Sequence, residues 1–88
     1  NPSAYAQIGF NFNRQSDWKN AQKFLEKSIS LQPDNVDARV YLAETLGSLG
    51  KIEQAREQLQ SVLNPNPAQS AAIHKMMLSL APSQNKTP

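Results

Sequence analysis

A repeat of 34 residues constrains this chain more than any other feature of its 88 residues. Displaced by that period, the sequence sets Ala4 on Ala38, Ala21 on Ala55, Leu25 on Leu59 and Pro33 on Pro67. Positions that differ keep their character, as in Ile8/Leu42, Gly9/Ala43, Phe12/Leu46, Trp18/Ile52 and Ile29/Leu63. A third, partial copy follows, with Ala72, Met76 and Leu80 under Ala38, Leu42 and Leu46. A unit of this length is one supersecondary piece that cannot bury its apolar face alone and must stack on a neighbour.

Each unit reads as two helices. Tyr5, Ile8 and Phe12 share one face of a helix over roughly residues 2–15, with Asn1 able to cap it and Pro2 suited to its first position. Asp17 is a good N-cap for a second helix over roughly 18–31, which carries Ala21, Phe24, Leu25, Ile29 and Leu31 inward until Pro33 blocks continuation. The second unit repeats the plan, with a helix near 36–49, a turn at Gly50 and a helix near 52–64. Asn66-Pro67-Ala68-Gln69 has the form of a capping box and starts a fifth helix that Pro82 ends. No strand-like alternation competes. The expected organisation is one domain over 1–81, with repeats at 2–35 and 36–69 and a capping helix at 67–81. Residues 82–88 form a polar tail without periodicity, expected to be flexible.

Small residues recur where helices must approach. A glycine inside a helix costs about 1 kcal/mol against alanine, so Gly9 needs a reason, and close packing against Ala21 supplies one. Ile8, Phe12, Trp18 and Leu25 are then expected to fill the seam around that contact. In the third copy the position of Gly9 holds the bulky Met77, which fits a terminal helix with no partner behind it.

The period, with Tyr5…Ile8-Gly9…Phe12…Ala21…Leu25…Pro33, resembles the tetratricopeptide repeat. The second unit follows at Leu42, Ala43, Leu46, Gly50, Ala55, Leu59 and Pro67, and departs at Arg39, where the family usually has an aromatic residue. The resemblance implies an all-α fold: a right-handed α-solenoid of two helix-turn-helix units plus a C-terminal capping helix, whose first helices line a concave groove. It also implies protein–protein recognition without intrinsic catalysis, and no cofactor.

Composition narrows the chemistry independently. Cysteine is absent and histidine occurs once, which removes disulfides, thiol nucleophiles and histidine-only metal clusters. The longest apolar run, Met76-Met77-Leu78, is far short of the roughly 20 residues a membrane span needs. The chain opens on Asn1-Pro2, as a piece of a longer protein would, without a secretory pattern. Net charge is +2 and dispersed, so neither nucleic acid nor an anionic membrane is the expected partner. Lys19, Lys23 and Lys27 form the one basic row, read as a solvated outer face. His74 could meet Glu44 one repeat away, but a groove-lining histidine explains it without an enzyme.

The groove carries the functional expectation. In the family register its lining includes Ala6, Phe10, Asn13 and Arg14 from the first unit, and Val40, Tyr41, Glu44 and Ser48 from the second. The capping helix adds His74 and Leu78. Phe10 lies off the Ile8/Phe12 face, so it either anchors a ligand or packs on the next repeat. Some family members clamp chaperone tails with lysine, asparagine and arginine, but the matching positions here hold Ala6, Phe10 and Glu44. An apolar peptide, a helix or a partner surface with a polar rim is the expected occupant. The alternatives are a structural segment of a longer array, or self-association as a homodimer through Met77 at the uncovered end.

Overall fold

The computed structural model describes residues 2–62 and 64–80. Among them five helices follow in order: α1 (Pro2–Arg14), α2 (Trp18–Leu31), α3 (Val36–Ser48), α4 (Ile52–Gln60) and α5 (Pro67–Ser79). The expected cap at Asn1, the helix stop at Pro82 and the tail lie outside the described residues. Short turns fold α1 onto α2 and α3 onto α4, while α3 also packs on α1 and α2. The last helix rests on α3 and α4. The core runs through the middle of this stack as Ala21, Leu25, Leu42, Ala43, Leu46, Ala55, Leu59 and Leu80.

Helix starts follow local chemistry. The Asp17 carboxylate accepts from the Asn20 backbone N–H, and the Asn35 side-chain oxygen accepts from the Ala38 N–H at 3.1 Å. At α5 the capping box is complete: Asn66 Oδ1 accepts from the Gln69 N–H at 2.8 Å, and Gln69 Oε1 accepts from the Asn66 N–H at 2.9 Å. Lys51 begins α4 with no side-chain cap. The turns inside the two units are homologous in conformation. Ser16 has φ +60° and Gly50, one period later, has φ +82°, so the same left-handed position is held once by serine and once by glycine.

The fourth helix stops at Gln60, earlier than the expected 64. Pro65 excludes the last expected position. It stands two residues ahead of Pro67, the counterpart of Pro33, and a residue before proline is driven out of the right-handed helical region. Asn64 itself lies in the left-handed region, at φ +51°. The loss of the last turn shortens the surface on which α5 can dock. Ala38 on α3 is buried, whereas its counterpart Ala72 on α5 is exposed.

Within the first unit, an aromatic seam joins the pair. Phe24 stacks on Phe12 at 5.6 Å and on Tyr5 at 6.3 Å between ring centroids. The contact at Gly9 is with Leu25, not with Ala21 as expected. A Cβ on Gly9 would sit 2.4 Å from Leu25 Cγ and 2.7 Å from Cδ2, and Leu25 is fully buried. Ala21 is also fully buried, so both small residues serve the seam, but the knob is Leu25.

Two residues expected to point inward do not. Leu31, at the last turn of α2, is 50% exposed. Ile8 is 39% exposed, although Leu42, its counterpart one period later, is only 2% exposed. The reason is position in the stack. Leu42 lies where α3 meets α2, while among the described residues no helix precedes α1 to cover Ile8.

Substituting Gly9 tests the Leu25 contact. Alanine should gain about 1 kcal/mol in helix propensity, but overpacking of a buried site costs roughly 1–3 kcal/mol. Because the obstructing atom is Leu25 Cγ rather than a free tip, Gly9→Ala is expected to be net destabilising by about 1 kcal/mol. In a Leu25→Ala background the same change should stabilise. Urea denaturation of the four proteins of this cycle measures the coupling.

Candidate functional site

The first helices of the three copies lie side by side, α1 against α3 and α3 against α5, and all ten expected groove residues belong to these three helices. Along α3, Asp37, Tyr41, Glu44 and Ser48 fall on one side at helical spacing. Phe10 of α1 stacks on Tyr41 with ring centroids 4.7 Å apart and planes tilted by 36°. The Arg14 guanidinium lies over the other part of this cluster, 5.9 Å from the Phe10 centroid. Of the two roles open to Phe10, packing on the next unit is what the structure shows, and both Phe10 and Tyr41 are half-buried. They form an aromatic step across the α1–α3 boundary.

Asn13 was expected to line the groove and is instead buried, at 4% exposure. Its Nδ2 donates to the Tyr41 carbonyl at 3.0 Å, and its Oδ1 accepts from the Thr45 hydroxyl, itself fully buried. A buried amide needs such partners, and here they are supplied by the neighbouring unit. Ala6 is likewise buried at the α1–α3 contact, reaching only the floor of a recess, and Val40 packs half-buried against the core. Glu44, Ser48 and His74 are exposed, with no hydrogen bond between His74 and Glu44 among the described residues. Leu78 is 64% exposed.

Recesses flank α3 on both sides. One, of about 160 Å³, lies between α1 and α3 and is lined by Ala6, Gln7, Asn35, Asp37 and Tyr41. The other, of about 310 Å³, lies between α3 and α5, where Glu44, Ser48, Gly47, Met76 and Leu80 contribute. Asp37 and Gln7 were not among the expected site residues. The signal for Asp37 was present, since it stands four residues before Tyr41 and seven before Glu44 on the same helical face.

The face is electrostatically uneven. Burial, followed by the fields of Asp37 and then Glu44, pushes the Tyr41 phenol above its ordinary value of 10.0. Tyr41 therefore remains a neutral hydrogen-bond donor throughout the physiological range. The lysine row is segregated from this face: Lys19, Lys23 and Lys27 are exposed on α2, with Lys23 over the Phe24 ring and Lys27 over the Tyr5 ring.

Met77 does not stand open at the end of the stack. It is half-buried against the chain's own core, beside Ile73 and Met76. The gap that a small residue would leave is occupied elsewhere: Leu80 folds over Gly47, where a Cβ would lie 2.8 Å from Leu80 Cδ2. Gly47 is the counterpart of Asn13, so the α1–α3 junction is clamped by amide hydrogen bonds and the α3–α5 junction by an apolar plug.

The tetratricopeptide repeat family model matches residues 13–80, from the end of α1 through the whole of α5. The chain belongs to the tetratricopeptide repeat family. Repeats of this family are typically non-catalytic scaffolds for protein–protein interaction, and an interaction or scaffold role follows for this chain. No curated protein and no solved structure matches it significantly. Among the described residues no helix is long and apolar enough to cross a membrane.

The Asn13 clamp gives a graded test of how this tetratricopeptide pair is joined. Asn13→Ala should lower stability by about 1–2 kcal/mol, because Thr45 can fall back on the Tyr41 carbonyl of its own helix, 3.0 Å away. Asn13→Asp should be worse at neutral pH, since it sets a carboxylate against that carbonyl. Part of the loss should return as the pH is lowered and the acid protonates. Thermal unfolding across pH would record the ordering.

Proposed function

We propose that the chain binds a segment of a partner protein along the face shared by α1, α3 and α5. The observation that carries this reading is the half-buried Phe10–Tyr41 step, with a recess on either side of α3. Aromatic side chains held by packing present large contact area at small entropic cost, which is the character of interface anchors. Leu78 extends the apolar part of the strip on α5, while Arg14, Glu44, Ser48 and His74 supply a polar rim. Ala6, Asn13 and Val40 support the strip from beneath. Peptide selection from a random displayed library provides the test. Selected peptides should lose roughly five- to thirtyfold in affinity on Phe10→Ala, the range of an anchor truncation, and less on Glu44→Ala. Lys23→Ala on α2 should change nothing. Peptides that bind all of these variants equally would remove the groove reading, provided that circular dichroism shows helicity retained.

A second reading is favoured by Ile8. Ala38 and Leu42 are buried where α3 meets α2, but their counterparts Ala4 and Ile8 are exposed on α1. This end face has the form of a stacking surface for the second helix of another unit, from a longer array or from a second copy. It is a candidate surface for self-association beside Met77, which is half-buried at the other end of the stack. Light scattering over a concentration series should then show mass increasing with concentration, and Ile8→Lys should abolish the increase without altering the melting temperature by more than a degree or so. A constant monomer mass for both proteins would exclude pairing of copies through this face.

A further inference from the structure

Asp37 and Glu44 flank Tyr41 on the exposed side of α3, and among the described residues neither makes an ion pair. The charged and titratable groups around them leave this uncompensated. Arg14 of α1 is placed over the Phe10 ring, His74 of α5 is exposed without a bond to Glu44, and α5 offers Asp37 only the neutral Gln69 amide at 3.4 Å. The chain as a whole carries +2, with its lysine row on α2. A net-basic molecule thus turns a negative strip toward the face on which its aromatic step stands.

We propose that the partner segment bound on this face presents an arginine or lysine, seated between Asp37 and Tyr41 with Glu44 one turn further along. The inference rests on the groove reading above and names the chemistry of its occupant. The recess between α1 and α3, about 160 Å³ in volume, has room for a cationic head group rather than a whole side chain and backbone. Its walls offer acceptors for such a head in the Asp37 carboxylate and the Gln7 amide, beside the Asn35 oxygen that already accepts from the Ala38 N–H. The Tyr41 ring provides a π-face for a guanidinium, as Phe10 already does for the chain's own Arg14. Arginine fits better than lysine, because a planar fork can address a carboxylate and stack on a ring together. Next to this cation an apolar residue of the segment would meet the exposed edges of Phe10 and Tyr41.

Three sets of short synthetic peptides test this, each with one leucine or phenylalanine and differing only in the neighbouring residue: arginine, glutamine or glutamate. Fluorescence anisotropy against the full chain should rank arginine over glutamine over glutamate. The double variant Asp37→Asn/Glu44→Gln should weaken the arginine set by about tenfold, as loss of one charge-assisted contact requires, and leave the glutamine set unchanged. Added salt should reduce the arginine preference. Both changed residues are exposed, and thermal unfolding of the double variant checks that the fold persists. If all sets bind alike, or the double variant leaves the arginine set unaffected while Phe10→Ala weakens it, the cation proposal falls and the groove reading stands. If no set binds at any attainable concentration, both fall.

Discussion

The structure depends on how closely α1 and α2 can approach, and that distance is set by Leu25 entering the space that Gly9 leaves free. With Leu25 fully buried and no room even for a Cβ on Gly9, the two helices have one way to fit. The stacked rings of Tyr5, Phe24 and Phe12 then close the seam on one edge. Once this pair is set, α2 and α1 together present the surface on which α3 lies. Cores are close-packed and transmit small displacements. A shift at Gly9 would therefore be felt at Asn13, one turn along the same helix, and at the hydrogen bonds that Asn13 makes to α3.

The two junctions of the stack are built differently from equivalent positions. Asn13 uses a buried amide to address a carbonyl and a hydroxyl, an interaction that tolerates little change in register. Gly47 instead leaves a space that Leu80 fills. Apolar contacts are less directional than hydrogen bonds, and α4 offers a shortened surface behind α5. The first two units are thereby held in a defined relation, which fixes the Phe10–Tyr41 step, while α5 docks with no fully buried residue of its own. Any partner that spans the shared face would engage one side that is firmly positioned and one that is held by fewer buried atoms.

Much of this was legible in the residues. The 34-residue displacement located the helix pairs, Asp17 and Asn66 marked their caps as observed, and Pro33 marked the end of α2. Where reading stopped short, the cause was a competing local rule or an unseen neighbour. Pro65 keeps Asn64 out of α4 because conformational restriction before proline acts whatever the repeat pattern suggests, and the helix stops earlier still, at Gln60. Ile8 and Leu42 share a sequence position but not an environment, since one lies at the end of the stack and the other within it. For the candidate site, Phe10, Tyr41 and Glu44 follow from the family register, and counting helical spacing back from Tyr41 reaches Asp37 as well.

What the sequence by itself determined is local and periodic: which segments are helical, where they begin, and that small residues must face large ones at a fixed interval. These follow from backbone sterics, capping and the 3.6-residue period, all properties of short stretches. Tertiary structure alone decided which large residue met Gly9, that Asn13 turned inward to a carbonyl of the neighbouring unit, and that Phe10 leaned on Tyr41. Each of these depends on residues about 16 to 32 positions apart in the chain, brought together by packing. A polar side chain such as Asn13 can face solvent or a buried acceptor with the same local sequence around it. Only the presence of the Tyr41 carbonyl and the Thr45 hydroxyl at hydrogen-bonding distance settles the choice.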